Sequence, residues 1–180
     1  MIQSKNLLLR AIEPSDIDLL YEWENNTQIW EVSQTLTPFS KYQLQKYIKH
    51  SSLDIFQTKQ LRLMIDLVIE EKDNVTVGMI DLFDFEPFHS RAGVGILIHK
   101  DYQNHKIASE ALTLFVDYSF KQLSLHQLYC NILVNNKASI QLFTKAGFEI
   151  CGTRKQWIKT IDSYADEMML QLINASSRNQ

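Results

Sequence analysis

The sequence predicts a mixed α/β fold, with a mostly antiparallel central sheet of about seven strands flanked by about four helices. Three observations carry this. Apolar runs of strand length recur at Leu7–Ile12, Leu61–Ile69, Val75–Phe83, Arg91–Ile98, Gln127–Val134, Phe148–Ile158 and Tyr164–Ile173. One long stretch, from 104 to 122, instead sets Ile107, Ala111, Leu114, Phe115 and Tyr118 on one face at helical period. The middle runs are joined by short polar segments and the later ones through helices, so hairpins give way to helix-linked strands.

Each element has a local reason. Pro14 follows the first strand and suits the first turn of a helix, where its missing N–H costs nothing. Ile17, Leu20, Tyr21 and Trp23 continue that helix to a break at Asn25-Asn26, and residues 27–39 read as irregular. Ser40 with Gln43 forms a capping box that opens a second helix through Leu44, Tyr47 and Ile48. Glu70–Asn74 is a polar hairpin turn, and Asp84–His89 joins the next two strands. Lys137–Ala146 is a short helix closed by Gly147, which suits a left-handed cap. The last two strands fold about Ile161-Asp162-Ser163, and Ala175–Gln180 reads as a frayed tail.

One hundred and eighty residues fit a single domain, 1–180, with its own core. A net charge of −3 supplies no general attraction to nucleic acid or anionic lipid. Hydrophobic content of 45% argues against disorder, and no apolar run is long enough to span a bilayer. Cys130 and Cys151 stand alone without metal-ligand spacing, so free thiols and no metal are expected. With no signal-peptide pattern, the expected location is cytoplasmic.

The stretch from Ile96 to Ala108 is the most informative. It reads as a strand, a short polar turn and the start of the long helix. Such a junction presents unpaired N–H groups and the positive end of a helix dipole, a setting for phosphate. Gln103, His105 and Lys106 add donors. The same pattern also fits an ordinary strand-to-helix connection.

Several landmarks coincide with this turn. They are the element order, the Tyr102-Gln103…Ala108 turn, and Asn136-x-x-Ser139-x-x-x-Phe143-x-x-x-Gly147-Phe148. To these add the strand carrying Leu8 and Arg10, the Gly78–Asp84 run and His89-Ser90-Arg91-Ala92. Together they resemble the GNAT-type acyl-CoA N-acetyltransferases, in the branch of ribosomal-protein alanine and spermidine acetyltransferases. The resemblance spans about residues 5–173 and implies a GNAT-like fold using acetyl-CoA as co-substrate. It implies that the strand about Val94–Ile98 splays from Gln127–Val134, and that the pantetheine arm lies in the gap. The cofactor-binding residues implied are Ile96, Leu97, Ile98, Gln103, Asn104, His105, Lys106, Ile107, Ala108, Ser109, Asn136, Ser139 and Phe143. Backbone N–H groups near Leu97 and Ile98 would face the developing oxyanion.

Three departures from the family pattern stand out. Lys106 occupies a glycine slot of the pyrophosphate turn, and Asn104 another place often taken by glycine. Phe143 replaces the tyrosine that in many relatives protonates the leaving thiolate. Ser139 is then the nearest hydroxyl, with packing at the helix start as its alternative role. Gly93 stands where this branch often has glutamate; a bulge, ligand approach or crowding would each explain it.

The reaction expected from the resemblance is acetyl transfer to a primary amine, which must first lose a proton. Candidate bases are Asp81, Asp84, Glu86, His89 and Glu31, with Asp81 and Asp84 foremost. In a regular strand those two would face opposite ways. Ser139 completes the catalytic candidates. Trp30, Glu31 and Trp157 are the expected acceptor-binding residues, with Trp23 assigned to the core. The acceptor is expected to be a protein N-terminus, a polyamine or another small amine, with homodimerisation open. The competing reading is a non-catalytic binding protein on the same fold, motivated by Lys106 and Phe143.

Overall fold

The structure is a computed structural model that describes residues 2–160 and 163–175, with the backbone alone at Glu31 and Val32. Ile161 and Asp162 of the expected last turn, and Ser176–Gln180 of the expected tail, lie outside the described residues. The strands are β1 (Ile2–Gln3), β2 (Leu7–Ala11), β3 (Leu61–Leu67), β4 (Val75–Glu86), β5 (Arg91–Ile98), β6 (Gln127–Leu133), β7 (Glu149–Lys159) and β8 (Tyr164–Ile173). They form one sheet in the order β1-β2-β3-β4-β5-β6-β8-β7. Every pairing is antiparallel except β5 with β6. The expected seven strands become eight because β1, two residues long, pairs Ile2 with Leu9.

The helices are α1 (Ile17–Glu24), α2 (Trp30–Ser33), α3 (Lys41–Ser51), α4 (Ile55–Thr58), α5 (Ile107–Lys121) and α6 (Lys137–Lys145). The capping box at Ser40 and Gln43 is present in both directions. Gly147 adopts φ +95, as a left-handed cap requires. Two expectations are corrected. Residues 27–39 are not wholly irregular, since α2 forms there, and β4 runs three residues past Phe83. A single turn such as α2 is too short to show a hydrophobic period.

The two faces of the sheet carry separate cores. On one, Ile107, Ala111, Leu112 and Phe115 of α5 and Phe143 of α6 pack on Ile80, Leu82, Val94, Ile98, Leu128 and Ile132. On the other, Leu20 and Trp23 of α1 and Leu44 and Ile48 of α3 pack on Met64 and Met79. Alternation along β4 assigns Ile80 and Leu82 to the first face and Met79 and Asp81 to the second. At the sheet's far edge β7 is exposed along most of its length, and its register with β8 shifts between Ile150 and Gly152 and again between Arg154 and Ile158.

A charged knot ties the start of the sheet together. Arg10 on β2 donates from Nε to Asp66 (2.6 Å) and from both terminal nitrogens to Asp16 (2.7 and 2.8 Å). Asp16 also accepts from the Glu13 amide at 2.8 Å. Burial pushes the Asp16 carboxyl up, but these donors outweigh it and hold it below its ordinary value of 3.8. Breaking such a pair leaves a charge uncompensated, so Asp16→Asn should cost about 3 kcal/mol. A melting curve should show a Tm lower by roughly 6–12 °C. The contribution of Asp16 is present at neutral pH and should be lost as pH falls through its depressed folded value, an acid-side drop that Asp16→Asn should lack.

Candidate functional site

The site begins where β5 and β6 part. Their parallel ladder has three rungs, Arg91 with Gln127, Ala92 with Leu128 and Gly93 with Tyr129, and then stops. Beyond Gly93, β5 continues for five residues paired only to β4, and β6 continues paired to β8. The His99 amide donates to the Val77 carbonyl at 2.8 Å, on the β4 side. Alternation therefore turns the Leu97 amide toward β4 and leaves those of Val94, Ile96 and Ile98 facing the gap. Of the two amides expected at the oxyanion, the strand aims Ile98 and not Leu97 into the opening. The Leu97 side chain packs into the second core.

The gap leads to the turn before α5. A 3-10 turn spans Lys100–Tyr102, with the Asp101 amide on His99 Nδ1 (3.5 Å). Gln103, expected as a donor to phosphate, donates its side chain to the Ile98 carbonyl at 3.0 Å. Asn104 and Lys106 adopt φ +66 and +63, so both slots call for the left-handed conformation that glycine takes without cost. The Lys106 side chain does not cap α5. The first amide to find a helical carbonyl is that of Glu110, on Lys106 at 3.0 Å. The amides of Ile107, Ala108 and Ser109 thus stand at the positive end of a 15-residue helix. His105 is exposed beside them.

On the far wall, the Asn136 side chain accepts from the Ser139 amide at 3.1 Å and caps α6. Phe143 is buried and meets Phe148 edge-on, with centroids 5.0 Å apart. It is a core residue in this structure.

The candidate acids differ sharply in their partners. Asp81 receives a two-point contact from Arg62, at 2.6 and 2.8 Å, and Arg62 also binds Glu24. The guanidinium lies over the Tyr47 ring. Burial opposes the Arg62 charge, but Asp81 and Glu24 reverse that and hold it firmly protonated. Glu86 bonds Arg91 at 3.0 Å, with exposed His89 3.9 Å away. Asp84 has a neutral partner, the Tyr129 hydroxyl, at 3.2 Å. Its backbone is left-handed (φ +48), at the step where β4 and β5 shift register between Phe83 and Glu86. The expected opposition of Asp81 and Asp84 therefore fails, because the irregular step carries Asp84 round to Tyr129, on the Asp81 side of the sheet. Burial and the adjacent Asp84 push the Tyr129 phenol up to about 12.

The aromatic candidates separate as well. Trp23 is buried and stacks on His99. Trp30 donates from Nε1 to the Glu24 carbonyl (2.9 Å), and Trp157 is 57% exposed with Arg154 over its ring. The two segments are linked, since Gln34 after α2 donates to Glu167 (3.3 Å), which pairs with Arg154 (2.8 Å). The Glu31 side chain lies outside the described residues. Sequence reasoning missed Arg62, Glu24, Tyr129, Arg154 and Glu167. The one available signal was for Arg62, a charge at a strand position between Leu61 and Leu63.

The profile of the acetyltransferase (GNAT) domain matches residues 6–149. The chain belongs to the GNAT acetyltransferase family. Spermidine N(1)-acetyltransferases of Vibrio cholerae and Escherichia coli are 26% and 27% identical to it, over 81% and 84% of this chain and 80% and 77% of theirs. A crystal structure of the Vibrio cholerae spermidine N-acetyltransferase in complex with CoA and spermine aligns with a TM-score of 0.85 at 22% identity, covering 98% of this chain and all of that one. As a GNAT member, the chain is an acetyl-CoA-dependent N-acetyltransferase.

Its donor set suits acetyl-CoA. The open edge of β5 offers strand-like partners to an amide-bearing arm, and the uncapped α5 amides suit a diphosphate. Among the described residues no cluster of His, Cys, Asp or Glu could hold a metal. A cavity of about 610 Å³, lined in part by Ile12, Tyr47, Ile48, Leu61 and Arg62, lies under α3 away from the gap. The left-handed backbone yields a direct test. Lys106→Gly should raise stability by up to about 1 kcal/mol by removing Cβ strain, and thermal melts should show the gain. Lys100→Gly, in the 3-10 turn, should show none.

Proposed function

We propose that this GNAT enzyme acetylates a polyamine, with Asp84 taking the proton from the reacting ammonium. The observation that carries the acceptor class is the likeness to two spermidine acetyltransferases across most of both chains. Charge supports it. Arg62 balances one of the two carboxylates that it binds, and Asp84 has a neutral partner, so this face keeps negative charge for a cationic acceptor. Asp84 is favoured over Asp81 as base because a carboxylate held on two points by arginine is committed to structure.

The steps follow from this arrangement. An alkyl ammonium, with a pKa of about 10, loses its proton to Asp84. The freed amine attacks the thioester carbonyl, and a gap-side amide of β5 near the vertex, that of Val94 or Ile96, stabilises the developing oxyanion. The departing thiolate takes the proton shed by the adduct's nitrogen. A thiol is acidic enough for this without the phenol that Phe143 lacks. Trp30 and Trp157 stand on the two segments linked through Gln34 and Glu167 and flank the acceptor. The cytoplasm, where thiols stay reduced, fits the free Cys130 and Cys151.

Released CoA measured with spermidine, spermine, a monoamine and peptides with free N-termini tests the acceptor class. Polyamines should give the highest kcat/KM, falling as salt is raised. Faster turnover of the peptides would overturn the reading. Asp84→Asn should lower kcat by at least about 100-fold at unchanged Tm. Asp81→Asn should instead lower Tm, by roughly 5–10 °C, as Arg62 loses its main partner.

A further inference from the structure

The Asp84 carboxylate is aimed from β6, across β5. Tyr129, whose hydroxyl it accepts, sits on the last rung of the β5–β6 ladder, opposite Gly93. The Phe83 ring meets Tyr129 edge-on at 5.9 Å and 83°. That ring also covers the bare Cα of Gly93, where a Cβ would stand 2.2 Å from it. Crowding, one of the three explanations open for Gly93, is therefore what the structure shows. A glycine on β5, a phenyl on β4 and a phenol on β6 together set where the hydroxyl points. The charged groups facing the pair are Arg91 and Glu86, bonded to each other at 3.0 Å, with His89 beside Glu86. These largely cancel, and the phenol is the directional contact.

We infer that Tyr129 is a positioning residue for acetyl transfer, its hydroxyl holding the Asp84 carboxylate at the vertex of the gap where the acceptor's ammonium arrives. This rests on Asp84 being the base. In the step itself an ammonium N–H bond breaks and an O–H bond forms on Asp84. The freed lone pair forms the C–N bond, and the C–S electron pair leaves on sulfur. The phenol keeps its own proton, consistent with its raised pKa. It goes on donating after Asp84 is protonated, because a carboxylic acid still accepts through its carbonyl oxygen. Tyr129 therefore governs the aim of the base, and its loss should be felt in turnover and not in CoA binding.

A double-mutant cycle with Tyr129→Phe and Asp84→Asn tests this, using acetyl-CoA and spermidine. Tyr129→Phe keeps the ring, its packing on Phe83 and the fold. It should lower kcat about 10-fold or more, with the KM for acetyl-CoA and the calorimetric affinity for CoA within about twofold of the parent. The double variant should be no slower than Asp84→Asn alone. Parental kcat in Tyr129→Phe alongside a disabled Asp84→Asn would overturn the role of Tyr129 and leave Asp84 as base. So would losses that multiply in the double variant. Parental kcat in Asp84→Asn would overturn the base assignment itself, and the inference with it.

Discussion

The structure depends on two parallel strands that stop pairing after three rungs. Past Gly93 and Tyr129, β5 stays paired with β4 alone and β6 with β8 alone. An unpaired strand edge inside a sheet is costly unless something else satisfies it, because buried amides and carbonyls need partners. Here the amides of Val94, Ile96 and Ile98 face the gap, and the Gln103 side chain covers one carbonyl at its end. The same parting exposes the start of α5, so one topological event supplies both a row of amides for an extended arm and a cluster for a diphosphate.

The charges around this gap are arranged by a simple rule. Arginines from neighbouring strands hold the acids that build the face. Arg62 binds Asp81 and Glu24, and Arg154 binds the buried Glu167. Asp84 is met by a hydroxyl instead. Arginine contacts of this kind fix geometry at the cost of reactivity, since a carboxylate that accepts two charged donors is a poor proton acceptor. A hydroxyl orients without neutralising. The difference in partner, more than distance along the strand, separates the acid committed to structure from the one proposed as base.

Local chemistry was readable in the chain. The Ser40–Gln43 box and Gly147 depend on near neighbours, and the structure shows them as expected; the face of α5 is read in part, since Leu112 and Ser119 are buried while Leu114 and Tyr118 are half-buried. The parting of β5 and β6 came from the family resemblance, since no periodicity marks where a ladder ends. Other features were out of reach because they arise between distant residues. Arg62 meets Asp81 through cross-strand register, and Arg154 meets Glu167 through the pairing of β7 with β8. Asp84 faces Tyr129 because one residue takes a left-handed turn that breaks alternation. Lys106 and Asn104 were legible as glycine substitutes but not in their effect, which needed the backbone angles.

The two register shifts in β7 bear on how the molecule behaves at high concentration. A straight, flat outermost strand would offer an uninterrupted row of donors and acceptors to any extended chain that met it. Here the row is broken twice, Gln156 turns left-handed within the second break, and Lys155 adds an ammonium on Asp166. Such kinks and charges deny a template to open-ended stacking. The strand that carries Trp157 and Arg154 thereby also guards the sheet against growing into a fibril.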